Sequence, residues 1–217
     1  RGASYYLPGL AVPMLPRPLS EGIVSLNGGG DRRALVFVID LTAKGDTRRT
    51  RLTRARIRSR AQLDFAQVER FLDEGAPLPD PELADSMRAF AAVGELRLER
   101  ARRRNIIQYR RSETEVKVDR QVMRFVIQLG PRTRVERYNE QLSLLCNTEG
   151  AQFLKGSDGP ELQPIYRVHP RPSPERYDEL VSLIDAIVTS HQLDPEVWRW
   201  NRANVSLADY LEALPHQ

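Results

Sequence analysis

Apolar and polar positions along the first third of the chain predict an irregular segment followed by a β-hairpin. Residues 5–30 are rich in proline and glycine, which excludes a long helix there and predicts an extended segment. Residues 34–41 form a β-rich apolar run, and alternation returns over residues 47–57 after a turn at Lys44-Gly45-Asp46. This order predicts two antiparallel strands joined by a tight turn.

Helical spacing of apolar residues appears in five later segments. Residues 64–72 have this spacing and stop before Gly75, and Pro81 can open a second helix that becomes very basic towards Arg104. Ser173 and Pro174 are typical of an N-cap and a first helical position. We therefore expect helices over residues 64–72, 81–104, 135–154, 173–190 and 207–214.

Two further β regions lie between these helices. One covers residues 116–129 and ends at Gly130-Pro131, and a short strand is expected over residues 165–169, before Pro170. Strands and helices mixed in this order predict an α/β (α+β) domain with a mixed, largely antiparallel sheet flanked by helices. A length of 217 residues favours one domain.

Composition agrees with a packed globular domain, because 41% of the residues are hydrophobic and 29% are charged. The single cysteine, Cys146, lies in an apolar run, so we expect it to be a small buried hydrophobic residue in a reducing, cytoplasmic environment. No stretch approaches the roughly 18 consecutive apolar residues of a membrane span, and the N-terminal residues lack a secretory pattern. We expect no membrane partner.

The net charge of +4 does not select a partner, but the distribution of arginine is informative. Arginines cluster over residues 48–60, 97–104 and 110–111. Guanidinium groups bind phosphate oxygens bidentately and stay charged, so these clusters are candidate surfaces for a nucleic-acid backbone. The alternative is that they are solvated faces of helices and strands.

Motifs for most catalytic chemistries are missing from the sequence. It contains no phosphate-binding loop, dinucleotide fingerprint, zinc pattern or Gly-x-Ser-x-Gly elbow. The three histidines are dispersed, and no Asp-x-Asp or Asp-Asp pair is present that could bridge two divalent metals. Residue chemistry alone leads to an α/β domain with arginine-rich surfaces.

Several strings of residues narrow this interpretation. RGASYYLPG at residues 1–9, VPMLP at 12–16 and LS at 19–20 together resemble a signature segment of the RNB-domain exoribonucleases of the ribonuclease II and ribonuclease R type. Further similar strings follow in the same order: SLN at 25–27, DR at 31–32, SRAQLDFAQV at 59–68, RRNIIQY at 103–109, NEQLSLLCN at 139–147 and YRVHP at 166–170. The resemblance covers about residues 1 to 190.

The resemblance implies a processive 3′→5′ hydrolytic exoribonuclease that takes the 3′ end of single-stranded RNA and releases nucleoside 5′-monophosphates. In that family, four aspartates hold the catalytic Mg²⁺, and they are expected before residue 1. A catalytic arginine is expected beyond the last helix of this chain. Residues 1–217 would then be a single incomplete RNB catalytic domain that forms the substrate channel and, alone, should not hydrolyse RNA.

The resemblance also implies aromatic contacts with the end of the RNA. Tyr6 matches a tyrosine that stacks on the 3′-terminal nucleotide, and Tyr109 falls where an aromatic residue, usually phenylalanine, clamps the same end. Phe65 matches an aromatic residue near the channel, although packing in a helix core explains it equally well. Stacking suits a nuclease that ignores sequence, because every base offers a π face. The alternative for both tyrosines is half-buried packing.

Polar contacts complete the implied site. Glu140 matches a glutamate that organises the channel, while Gln141 stands where the family commonly has a second glutamate. Surface exposure on a helix is the alternative for Glu140. Phosphate contacts are expected at Arg103, Arg104, Arg167 and, with less support, His169, for which a hydrogen-bonded structural role is the alternative.

Two classes of function remain open from the sequence. The first is an active exoribonuclease whose complete protein supplies the aspartates and the arginine. The second is a catalytically inactive RNB-like module that binds RNA or a protein. Aromatic residues at Tyr6 and Tyr109 favour the first, because a clamp for the terminal nucleotide has little use without cleavage.

Overall fold

A computed structural model of the chain describes residues 3–8, 10–107, 113–119, 124–130, 132–156, 163–168 and 172–215. The chain forms two compact units, of which the first contains Arg1–Leu98 and Arg110–Glu149 and the second Glu99–Tyr109 and Gly150–Gln217. The regular secondary structure of the described residues consists of helices and antiparallel hairpins, which confirms the predicted α/β (α+β) class.

The strands of the first unit pair as three antiparallel hairpins, β1 with β2, β3 with β4 and β5 with β6. The β3–β4 hairpin lies where a hairpin was predicted, and β5–β6 occupies the predicted β region 116–129, which was not expected to divide into two strands, whereas β1–β2 lies in the segment that was expected to be irregular. Their bounds are β1 Tyr5–Leu7, β2 Leu10–Val12, β3 Asp31–Leu41, β4 Thr47–Arg58, β5 Glu113–Asp119 and β6 Arg124–Gly130.

Helices occupy the segments predicted for them, and two short helical segments were not foreseen. The long helices begin and end within a few residues of the expected positions: α1 Phe65–Glu74, α2 Ala84–Arg103, α3 Arg134–Lys155, α4 Pro174–Ser190 and, near the C-terminus, α6 Leu207–Ala213. The unforeseen segments are a π-type turn over Pro18–Ile23 and the one-turn helix α5 Pro195–Trp198, whereas the helix expected from Pro81 opens as a 3₁₀ turn over Pro81–Leu83.

The turn of the β3–β4 hairpin contacts helix α2. Gly45 has a φ of 77°, a left-handed conformation that favours glycine, and its N–H donates to the Thr42 carbonyl at 2.9 Å. A Cβ at Gly45 would lie 3.1 Å from Leu96, and the Arg97 guanidinium donates to the Gly45 carbonyl at 2.8 Å. The tip of the hairpin is therefore fixed by one turn of α2.

At the beginning of β4, directly after the hairpin turn, two threonines contact a buried carboxylate of helix α3. The hydroxyls of Thr47 and Thr50 donate to the two oxygens of Glu149, each at 2.6 Å. Glu149 is only 6% exposed. A carboxylate buried to this extent is tolerated because its oxygens accept hydrogen bonds.

Helices α2 and α3 approach each other closely at Gly94 and Tyr138. A Cβ at Gly94 would lie 2.3 Å from the Tyr138 ring, so only glycine fits. The Tyr138 hydroxyl donates to Glu95, and the ring meets Phe90 edge to face at 6.0 Å between centroids. Burial, with the hydrogen bond to Glu95, raises the pKa of Tyr138 to about 12.

Helix α1 holds the beginning of α3. A capping box of Asp64 and Gln67 starts α1, and left-handed Gly75 follows its end. From the middle of α1, Glu69 accepts the backbone N–H of Val135 at 3.0 Å, which satisfies a donor at the N-terminus of α3. Arg134 adds ion pairs to Asp73 and Glu69.

The second unit has a core of aromatic residues. Trp200 stacks on Tyr210 at 5.9 Å between ring centroids, and its indole N–H donates to the Val205 carbonyl at 2.9 Å. The hydroxyl of Tyr210 donates to the Trp198 carbonyl at 2.8 Å. Trp200 and Tyr210 are buried, together with Val188 of α4.

Two sequence predictions are wrong. Residues 165–168 form no strand, because the described segment 163–168 has no regular secondary structure and pairs with no described strand. Cys146 is exposed instead of buried, because its neighbour Leu145 occupies the inward face of α3 and the next helical position turns away from it.

No helix in the described part of the chain is long and apolar enough to cross a membrane.

Candidate nucleic-acid interface

Tyr6 lies on the short β1–β2 hairpin, where it pairs with Ala11. The hairpin is closed by the backbone N–H of Met14, which donates to the Ser4 hydroxyl at 3.0 Å. The Tyr6 side chain is 81% exposed, which contradicts half-buried packing. An exposed aromatic ring on a hydrogen-bonded strand is free to stack on a base.

Phe65 is the first residue of α1 and is 42% exposed. The capping box at Asp64 fixes the entry of the chain into this helix and with it the direction of Phe65. Val68 is the buried residue of the helix. Phe65 thus presents part of its ring outward instead of forming the centre of the helix core.

Glu140 is exposed on α3, as the surface-helix alternative expects, and its carboxylate accepts from Arg132 at 2.9 Å. The next residue, Gln141, is buried. A neutral amide at a buried position avoids the cost of burying a second charge. Of these two neighbouring positions, only Glu140 therefore carries a charge, and its exposed carboxylate is paired with Arg132.

Arg103 and Arg104 lie at the C-terminal end of α2 and are exposed. Arg103 approaches Glu99 at 4.0 Å, and the backbone N–H of Arg104 donates to carbonyls of the last helical turn. Cations at this position interact favourably with the helix dipole, so a structural role accounts for part of this cluster.

Arg167 is exposed in the described segment 163–168. Tyr109 and His169 lie outside the described residues, as do Arg110 and Arg111. Of the expected site residues, Tyr6, Phe65 and Glu140 belong to the first unit, on β1, α1 and α3, and Arg103, Arg104 and Arg167 belong to the second.

The arginine cluster over residues 48–60 is divided by the structure into residues with different partners. Arg60 is held by Asp80 and Glu82, both at 2.7 Å, and the hydrogen bond to Glu82 raises the pKa of Arg60. Arg58 pairs with Asp31 at 2.7 Å, whereas Arg54 projects from β4 into solvent. The exposed Arg33 of β3, opposite this cluster, was not singled out by the sequence, although strand alternation could have placed it on the same face.

Among the described residues, no group of three or more histidines, cysteines, aspartates or glutamates is arranged to hold a metal ion.

Comparison with known proteins gives a consistent result. The RNB domain family matches residues 1–217. Ribonuclease R of Mycoplasma genitalium is 29% identical over 184 residues, which is 84% of this chain and 25% of that protein. Ribonuclease R of Thermotoga maritima is 29% identical over 202 residues, 90% of this chain and 28% of that protein.

Solved structures show the same likeness. Mycoplasma genitalium RNase R in complex with ribose-methylated single-stranded RNA aligns with a TM-score of 0.79 and 27% identity, over 96% of this chain and 32% of that one. The same enzyme in complex with double-stranded RNA aligns with a TM-score of 0.78 and 26% identity, over 97% of this chain and 36% of that one. The chain spans about a quarter to a third of the length of these relatives. Because the family match extends over the whole sequence, the chain belongs to the RNB-domain family of ribonuclease R and ribonuclease II.

Proposed function

We propose that the complete protein is a 3′→5′ hydrolytic exoribonuclease that acts on single-stranded RNA and releases nucleoside 5′-monophosphates, and that this chain forms part of its substrate channel. The observation that carries the proposal is the likeness, over 96% of the chain, to an RNase R solved with single-stranded RNA. The proposal includes a cytoplasmic location.

Tyr6 supports a role in holding the end of the substrate. Its ring is exposed on a paired strand, so a base can stack on it without rearrangement of the hairpin. Such stacking contributes about 1–3 kcal/mol per base and does not depend on sequence. A fixed terminal base also fixes the position of the scissile phosphate.

Charged residues support the proposal in each unit separately. Arg103, Arg104 and Arg167 are exposed and offer guanidinium groups to phosphates, and Glu140, held by Arg132, would limit how the terminal nucleotides are seated. If bound in the complete protein, Mg²⁺ would supply an activated water and would neutralise charge on the phosphate. Tyr109 and His169 remain proposals from the resemblance alone.

The test is digestion of a 5′-labelled single-stranded RNA with Mg²⁺ by the complete protein, by its Tyr6→Ala variant and by Tyr5→Ala. Tyr5 is the matched control, because it is also an exposed tyrosine of β1 but points to the other side of the strand. We expect a ladder that shortens from the 3′ end one nucleotide at a time for all three proteins, and a changed final product length for Tyr6→Ala only.

An RNA that stays intact with any divalent metal, yet is retarded in a gel in a salt-dependent way, would overturn the enzymatic proposal. The protein would then be an RNA-binding module of the RNB family. Equal product lengths for Tyr6→Ala and Tyr5→Ala would remove the role of Tyr6 and leave the reaction in place.

A further inference from the structure

The β3–β4 hairpin exposes different faces at its two ends. Directly paired residues of an antiparallel hairpin share a face. Near the open end the exposed pairs are Asp31 with Arg58, Arg33 with Arg56 and Leu35 with Arg54. Near the turn the exposed pairs belong to the opposite face, Val38 with Arg51 and Asp40 with Arg49. We call the exposed surface of the open end the arginine face; it consists of Asp31, Arg33, Leu35, Arg54, Arg56 and Arg58.

The arginine face carries four guanidinium groups and one carboxylate. Asp31 pairs with Arg58 at 2.7 Å and approaches Arg56 at 3.8 Å. Arg33 and Arg54 make no ion pair or hydrogen bond with any residue that the structure describes. The face therefore keeps a strong positive charge that the hairpin itself does not balance.

The arrangement of these charges is unfavourable for the hairpin alone. Arg33 stands directly opposite Arg56, and like charges at such a position destabilise a pair of strands. Near the turn, by contrast, Arg49 stands opposite Asp40, the arrangement that stabilises a pair of strands. A local arrangement that opposes stability is typical of a binding site, where the ligand supplies the missing charge.

The shape of the face fits an extended anionic polymer. Arg54, Arg56 and Arg58 follow each other along one side of β4 at intervals of about 6.7 Å. Arg33, Leu35, Arg54 and Arg56 line a shallow, open pocket of about 420 Å³, and Leu35 is 65% exposed. A row of guanidinium groups beside an aliphatic side chain can bind phosphates and pack against the sugar or base between them.

We propose that the arginine face binds the phosphate backbone of single-stranded RNA, as a contact surface additional to the residues that hold the 3′ end. The proposal rests on the proposed function for the identity of the polymer. Regular charge along a strand favours a polymer with regularly spaced phosphates over an acidic protein surface, where carboxylates are irregularly placed.

The experiment compares the complete protein with two double variants of equal charge. Arg33→Gln/Arg54→Gln changes the arginine face, and Arg49→Gln/Arg51→Gln removes the same charge from the opposite face of the same hairpin. Affinity for a long fluorescent oligoadenylate is measured by anisotropy from about 50 to 200 mM salt, with EDTA present to prevent cleavage.

We expect the plot of log K against log salt to become shallower by about 1.4 for Arg33→Gln/Arg54→Gln, since each lost contact with single-stranded RNA removes about 0.7. The control double variant should keep the parent slope. Arg33→Lys/Arg54→Lys retains the charge and should recover most of the parent's slope of log K against log salt. This recovery would exclude misfolding as the cause of the shallower slope in Arg33→Gln/Arg54→Gln.

Equal slopes for the parent and for Arg33→Gln/Arg54→Gln would overturn the proposal, and so would an equal loss in the two glutamine variants. If the arginine face contacted a protein instead of RNA, the slopes of the parent and of Arg33→Gln/Arg54→Gln would be equal. Release of mononucleotides by the parent, measured in parallel with Mg²⁺, separates these results from failure of the proposed function.

Discussion

At the scale of single residues, the contact between Gly94 and Tyr138 determines how closely α2 and α3 pack. The hydrogen at Gly94 faces the Cβ and ring of Tyr138, which is only 2% exposed and has Phe90 against its edge. Because the nearest atoms include the Cβ of Tyr138, a side chain at position 94 can be accommodated only if one helix moves. The contact between Gly94 and Tyr138 thus sets the distance between α2 and α3 at this point.

Gly94→Ala should therefore lower the free energy of unfolding by about 1–3 kcal/mol, the usual cost of overpacking, even though alanine favours helix more than glycine does. Urea unfolding measures this change. Gly22→Ala is the control, because a Cβ at Gly22 meets nothing within 4 Å and should change stability little. An equal effect at both positions would contradict the steric explanation.

The buried hydroxyl of Tyr138 should also make stability depend on alkaline pH. Burial and the hydrogen bond to Glu95 raise the pKa of Tyr138 from 10.0 to about 12, so the folded state holds this proton more tightly than the unfolded chain. The resulting stability is complete below pH 10 and is lost as the pH rises towards about 12. Tyr138→Phe should flatten this part of the profile of unfolding free energy against pH. Parallel profiles for parent and variant would show that the hydroxyl titrates alike in both states.

At the scale of elements, the β3–β4 hairpin is held by contacts that lie far away in sequence. An apolar β-rich run, the Lys-Gly-Asp turn and the alternation that follows predicted both strands, because these signals are local. The exposed face of the hairpin changes from one side to the other near Val36 and Phe37. The sequence could not predict this change, because both residues are apolar and tertiary packing at each end determines which side is exposed. Cys146 was misjudged for a related reason: an apolar run in a helix covers several faces, and only the packing of Leu145 shows which one is inward.

Thr50→Val should destabilise the protein by about 1–3 kcal/mol, because it leaves a buried oxygen of Glu149 without its hydrogen bond. Thr53→Val, also on β4 but exposed, should be nearly neutral or slightly stabilising, since valine favours strands. Thermal unfolding of the two variants beside the parent measures the difference. Similar losses in both would show that the bond from Thr50 to Glu149 contributes little.

At the scale of the whole molecule, the chain divides into two compact units with separate cores. Leu78, Val135 and Tyr138 are buried in the first, and Trp200 and Tyr210 in the second. Length and composition predicted a packed core but could not show this division, because each unit joins segments that are distant in sequence. A single incomplete RNB domain over residues 1–217 remains a proposal.

For the expected site, the sequence predicted the family and the candidate residues but not their tertiary contacts. The strings around Tyr6, Phe65 and Glu140 indicated the family, and the family match confirms it. They could not show how far each side chain is exposed or which arginine already holds Glu140, because those properties arise from tertiary contacts. The charge pattern of the arginine face also needed the strand register, which pairs Arg33 with Arg56 across the hairpin.

The hydrogen bonds from Thr47 and Thr50 to Glu149 also set an order of events during synthesis. Thr47 precedes Glu149 by 102 residues, so at about 5–20 residues per second the ribosome needs on the order of 5–20 s to supply the carboxylate. A hairpin with a tight turn can form within about 1–10 μs. On the growing chain, Thr47 and Thr50 therefore lack their carboxylate partner for seconds, until helix α3 has been made.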